Sequence, residues 1–94
     1  MLTSQLLFVA YHIEVNSFRF IGQNDQHMKC SFIENPHLEG LIWNITEEQK
    51  RLMTEKYPLD ILFHIKINHW RNKKTPQLDI RAITASQSGT HETN

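Results

Sequence analysis

Apolar residues recur at every second position through 59–83: Ile61, Phe63, Ile65 and Ile67 on one arm, then Leu78, Ile80 and Ala82 on another. That is the period of a strand with one buried face. Between the arms, Arg71-Asn72-Lys73-Lys74-Thr75-Pro76 is a short polar turn. The pattern predicts a long β-hairpin with a basic tip. The register that buries Ile61 to Ile67 turns out His64, Lys66, Asn68 and Trp70, and the second arm turns out Gln77, Asp79 and Arg81.

The chain before the hairpin carries three further strand patterns and a helix. A first strand is expected over roughly 6–21, where Leu7, Val9, Tyr11, Ile13 and Val15 form the more apolar parity. Asn16-Ser17 interrupts it, and Phe18 and Phe20 continue on the other parity, which predicts a bulge or sharp bend. Gly22-Gln23-Asn24-Asp25 is a turn by composition. In 26–33 Met28, Cys30 and Phe32 point to the core and His27, Lys29 and Ser31 away from it. Glu34-Asn35-Pro36-His37 turns again, and 40–45 gives a third strand containing Trp43. Thr46-Glu47-Glu48-Gln49 matches a capping box, so a helix of about three turns follows, limited by Pro58. Its expected inner contacts are Leu52, Met53 and Tyr57. The Ser/Thr/Gln-rich tail, 85–94, has no apolar period and is expected to be disordered, leaving 1–84 as one domain.

The order is thus three strands, a helix and two strands, with a long bent first strand. It predicts a mainly β chain folded as a five-stranded Greek-key barrel of the oligonucleotide/oligosaccharide-binding type, the OB-fold, with its helix between strands 3 and 4. The usual ligand face of that architecture is strands 2 and 3, flanked by the loops after strands 1 and 4. Those loops here are 22–25 and 71–75.

Composition adds bounds. Ninety-four residues with 39% hydrophobic content suit one compact domain. Ten basic residues balance ten acidic ones, which argues against a binder that works by bulk positive charge. Charge is nonetheless segregated: Lys66, Arg71, Lys73, Lys74 and Arg81 meet only Asp79 between positions 66 and 81. The single Cys30 cannot form an internal disulfide, and no apolar run approaches the ~18 residues of a membrane span. A soluble, reduced, cytoplasmic setting is the expectation.

Two segments carry a family resemblance. Phe20-Ile21-Gly22-Gln23-Asn24-Asp25-Gln26-His27-Met28-Lys29 resembles the G-K-D-x-K-H-L-K segment in the OB domain of RecJ, the bacterial exonuclease specific for single-stranded DNA. Leu59-Asp60-Ile61, Ile67-Asn68-His69-Trp70-Arg71-Asn72 and Gln77-Leu78-Asp79-Ile80 look like a second segment of that domain, and Trp43-Asn44 sits where the family has an aromatic followed by Asn. Asn72 replaces a glycine of the pattern and tolerates the left-handed conformation. Ala82 stands where the family has an acid. The family's manganese- or magnesium-holding Asp and His motifs are absent from the chain, so the resemblance implies a C-terminal OB domain excised from its nuclease, with no cofactor of its own. It also implies single-stranded DNA, the catalytic domains of the parent exonuclease and repair proteins as partners, in DNA repair and recombination.

The residues supply a mechanism of their own. Cations that track phosphates and aromatic faces that stack bases hold single-stranded DNA. Lys29, Lys66, Arg71, Lys73, Lys74 and Arg81 are candidates for phosphate, Trp70 and Trp43 for stacking, and His27 and Asn68 for added hydrogen bonds. Each has a rival role. Lys73 and Lys74 suit a solvated turn, Trp43 has apolar neighbours that suit core packing, and Lys66 and Arg81 suit an edge or a pairing with Asp79.

Chemistry at a metal or a nucleophile has little support. His27 and Cys30 are three apart and His64 and His69 five apart, so each pair points to opposite faces of a regular strand. No CxxC, HExxH, Asp cluster or Ser-His-Asp arrangement is legible. Two function classes follow: a DNA-gripping accessory of an exonuclease, or an OB module that docks on its parent enzyme or a repair partner without touching DNA.

Overall fold

The computed structural model describes residues 6–87. Six strands form one sheet, β1 (Phe8–Ile13), β2 (Val15–Ile21), β3 (His27–Phe32), β4 (Asn35–Ile42), β5 (Leu59–Trp70) and β6 (Lys73–Ala85), with the helix α1 (Glu47–Glu55) between β4 and β5. Their spatial order is β1-β5-β6-β4-β3-β2. The two outermost strands are consecutive in the chain, separated by Glu14 alone. The expected bent first strand is therefore present as two halves, one at each end of the order. All pairings are antiparallel except β4 with β6, where Glu39, Gly40 and Leu41 face Gln77, Leu78 and Asp79 in parallel. Hydrogen bonds do not close the ring, and the chain itself joins its ends: the Glu14 carbonyl accepts from Ile33 N–H at 2.8 Å.

Bulges explain how one strand serves both ends. The β2–β3 register slips between Val15 and Ser17, as the parity change at Asn16 predicts. A second slip between Ala10 and Ile13 was not anticipated. His12 takes φ 54°, and its N–H donates to the Asp60 carboxylate at 2.9 Å. This bulge inverts the expected parity: Leu7, Val9 and Tyr11 are exposed, while Ala10 packs on the core.

The core gathers Val15, Met28, Cys30, Phe32, Ile42, Leu59, Ile61, Leu78 and Ile80, and α1 adds Leu52 and Met53. Alternation in β3 places Met28, Cys30 and Phe32 inward as expected. The capping box forms in full, with Thr46 Oγ1 accepting from Gln49 N–H at 3.1 Å and Gln49 Oε1 from Thr46 N–H at 2.9 Å. Tyr57 departs from expectation, because Lys56 ends the helix at φ 61° and leaves the phenol 54% exposed. The third strand also differs. It begins at Asn35, after a turn at Ile33-Glu34, and ends at Ile42, before Trp43.

The β5–β6 hairpin is longer and tighter than its polar segment suggests. Trp70 pairs with Lys73, leaving Arg71 and Asn72 as a two-residue turn at φ 52° and 66°. Two positive φ angles define the turn type whose twist suits a hairpin. Core contact stops short of the tip: Ile61 is buried, whereas Ile65 and Ile67 are about half exposed. A bulge opposite Leu62/Phe63 shifts β6, so that Ile83 enters the core in place of the expected Ala82. Ala85 still belongs to β6 and Ser86 N–H donates to Pro58 O at 2.8 Å, so 85–87 do not form the expected disordered tail. Residues 88–94 of that tail lie outside the described residues.

Candidate functional site

Side chains opposite one another in registered strands share a face. On the outer face a row can be traced from β5 to β2: Lys66 pairs with Gln77, Gln77 with Glu39 across the parallel junction, and Lys29 with Arg19. Gln77 Nε2 donates to Glu39 Oε1 at 2.9 Å, and Lys29 Nζ lies 3.8 Å from Glu39 Oε2. Glu39 is thus the acid at the centre of a row with cations on both sides.

Beside this row the outer surface of β2, β3 and β4 is concave. A depression of about 430 Å³ is lined by Ser17, Arg19, Lys29, Ser31, His37 and Glu39, among others. Its floor is hydroxyl-rich: Ser17 and Ser31 hydroxyls are 3.1 Å apart, and Asn16 Nδ2 donates to Ser31 Oγ at 3.1 Å. Exposed cations over a hydroxyl floor suit a chain of phosphates, which asks for donors along a line.

The hairpin extends the same face. Lys66, Asn68, Trp70 and Lys73 stand on it together with Gln77, Thr75 and Asp79. Trp70 is 69% exposed, with the Arg71 guanidinium 5.3 Å from its ring centroid. Lys74 departs from this grouping. It pairs with His69 on the opposite face, beyond Ile65 and Ile67.

At the other end of the face His27 and Trp43 meet edge to face, with ring centroids 4.6 Å apart. Trp43 is not a core residue. Asn44 at φ 53° turns the chain, and the indole is 48% exposed. The Asn44 N–H donates to His27 Nδ1 at 2.9 Å, which locks the turn. Arg81 lies at the β6 bulge with Nη1 3.6 Å from Asp79 Oδ2, so its expected rival pairing is present as a long contact.

Sequence reasoning missed Arg19, Ser17 and His37, and named Glu39 only as an acid whose presence among the cations would favour the docking reading, without its position. Arg19 had a signal, since it falls between the half-buried Phe18 and Phe20. Glu39 had none, because its place depends on a parallel pairing with a strand 38 residues away. The helix contributes little charge to this face: Arg51 is held by Glu48 and Glu55, and Lys50 by Glu47 and the Phe20 ring. Beneath the depression, burial pushes the Cys30 thiol up to about 12, with the Glu39 carboxylate adding to the effect. Cys30 is therefore a packing group. Among the described residues no three of His, Cys, Asp and Glu gather as a metal site, and no helix is long and apolar enough to cross a membrane.

A search of curated proteins finds no match to the chain. The family model described as the RecJ OB domain matches residues 2–82, which spans every strand except the last three residues of β6. With the strand order and parallel junction described above, that match settles the assignment: the chain belongs to the RecJ OB domain family, a non-catalytic domain of RecJ-like proteins.

Proposed function

We propose that this domain binds single-stranded DNA as the accessory of a RecJ-like 5′-to-3′ exonuclease, a cytoplasmic enzyme of DNA repair and recombination whose manganese- or magnesium-dependent centre lies on its catalytic domains. The observation that carries the reading is the shared outer face, on which Arg19, Lys29, Lys66 and Lys73 run between two exposed indoles, Trp43 and Trp70. The strand's phosphates follow the cations across β2, β3 and the hairpin, and the indoles stack bases at the two ends. Stacking on one aromatic is worth roughly 1–3 kcal/mol per base. His27, Asn68, Arg71 and Arg81 border the same path, whereas Lys74 contributes only general field.

Glu39 keeps the face from binding anions indiscriminately. Its two oxygens engage Gln77 and Lys29, so a phosphate reaching Lys29 competes with a carboxylate already there. Affinity then depends on several weak contacts made together, which suits a strand that must slide.

A titration of the 94-residue chain with single-stranded and duplex oligonucleotides, followed by tryptophan emission at several salt concentrations, tests the reading. Preference for the single strand, quenched emission and a steep salt dependence support it. Absence of binding at low salt overturns it. The alternative is a docking module for the parent enzyme or a repair partner, and the half-exposed Ile65 and Ile67 on the opposite face of the hairpin favour it.

A further inference from the structure

At the Trp43 end of the face a cavity of about 260 Å³ is lined by Trp43, Asn44, Asp79, Ile80 and Arg81. It is smaller than the roughly 300–1,000 Å³ that hold a drug-sized ligand, so it suits a group the size of one base. Its indole wall is held from behind by His27, which also receives the Asn44 N–H. The wall is therefore in place before anything binds.

Asp79 gives the cavity its chemistry. The side chain is 13% exposed. Its Oδ1 is buried with no hydrogen-bond partner among the described residues. Its Oδ2 has only Arg81 Nη1 at 3.6 Å, beyond hydrogen-bond range. His64, opposite in the sheet, has its Nδ1 2.9 Å from Leu6 O instead. Oδ1 is closed to solvent, so a ligand meets the carboxylate at Oδ2, which Arg81 holds only at long range, and beside a fixed indole that oxygen suits a ligand that brings a donor on a flat ring. Cytosine offers its N4 amine in that form, and carboxylates accept from it in other protein–DNA contacts. Thymine and uracil place a carbonyl oxygen at the same position, which a carboxylate repels.

We infer that this cavity is a base-reading subsite in which Trp43 stacks one base and Asp79 accepts from its exocyclic amine, so that the domain favours amino-bearing bases over thymine and uracil. Arg81, 56% exposed, swings from Asp79 to the adjoining phosphate when the base enters. The inference rests on the single-strand reading above and adds a preference to it.

Fluorescence anisotropy with end-labelled oligo-dC and oligo-dU at pH 8 tests it: the two pyrimidines match in size and stacking face, and cytosine carries the N4 amine and a bare N3 where uracil carries a carbonyl oxygen and an N3–H. The expected result is roughly tenfold tighter binding of oligo-dC, with the preference lost in Asp79→Ala, which removes the acceptor. Equal affinity of the wild-type chain for the two oligonucleotides overturns the subsite and leaves single-strand binding standing. A dC preference that survives Asp79→Ala removes Asp79 from the assignment. Binding of neither oligonucleotide overturns the subsite together with the reading it rests on.

Discussion

Two neighbouring lysines should behave differently, and the hairpin register says which one matters. Lys73 pairs with Trp70 on the face that carries Lys66 and Asn68, whereas Lys74 pairs with His69 on the face of Ile65 and Ile67. A cation that neutralises one phosphate of a single strand contributes about 0.7 to the slope of log affinity against log salt. Between 1 M and 0.1 M salt that slope amounts to about 0.7 of a decade, or roughly fivefold in affinity. Lys73→Ala should therefore weaken oligonucleotide binding about fivefold at 0.1 M salt and lower the slope by about 0.7. Lys74→Ala keeps only the long-range loss of a charge, less than twofold, with the slope unchanged. Both side chains are exposed at a strand end, so neither change should alter stability by more than about 0.5 kcal/mol. The assay is anisotropy of a labelled single strand at four or five salt concentrations. Equal losses in the two variants would refute the face assignment, and a larger loss in Lys74→Ala would reverse it.

Trp70→Ala should weaken binding by roughly 1–3 kcal/mol with no change of salt slope, because the exposed indole stacks and does not neutralise charge; a slope that fell with the affinity would show that Arg71 had been lost with it. Gly40→Ala probes the junction beneath the site. A Cβ there would lie 2.9 Å from Ile80 Cδ1 and 3.1 Å from Cys30 Sγ. Overpacking of about 1–3 kcal/mol outweighs the roughly 0.4–1 kcal/mol gained from a stiffer unfolded chain, leaving a net loss of about 1–2 kcal/mol by urea unfolding, partly restored by adding Cys30→Ala. Cys30 also sets a pH dependence. Its thiol stays protonated in the fold up to about 12 but ionises near 9.0 when unfolded, so above pH 9 the unfolded state holds fewer protons. Stability should fall as pH rises through that window by about 1.4 kcal/mol per pH unit from this group, and the same decline in Cys30→Ala would remove the thiol as its cause.

Local signals carried well into the fold, and long-range ones did not. Met28, Cys30 and Phe32 alternate into the core, Thr46 and Gln49 cap the helix, and the arms of the hairpin pair as their period predicts. These features depend on near neighbours in the chain. Ile65 and Ile67 have the right period but no barrel beneath them, since alternation fixes a face and not how far the core extends. Leu7, Val9 and Tyr11 were expected inward, and a bulge held by the side chain of Asp60 turned them out. Trp43 was drawn into a strand that Asn44 ends by adopting a positive φ. The candidate site shows the same division. Lys66, Asn68 and Trp70 follow from hairpin parity, but Lys73, expected in the turn, joins their face only because the turn shrinks to Arg71-Asn72, and the place of Glu39 between Lys29 and Gln77 exists only once β4 lies parallel to β6.

In the proposed binding mode one face of the barrel, continued along the hairpin, meets the strand. Amide and indole chemical-shift mapping by NMR, adding an unlabelled single-stranded oligonucleotide to the isotope-labelled chain, tests it most directly. The largest shifts should fall at Arg19, Lys29, Ser31, Lys66, Lys73 and the indole N–H groups of Trp43 and Trp70, with Ile65, Ile67 and Lys74 nearly still. Shifts centred on Phe63, Ile65 and Ile67, with Lys29 and Trp43 unmoved, would contradict it and place the working surface on the apolar side of the hairpin.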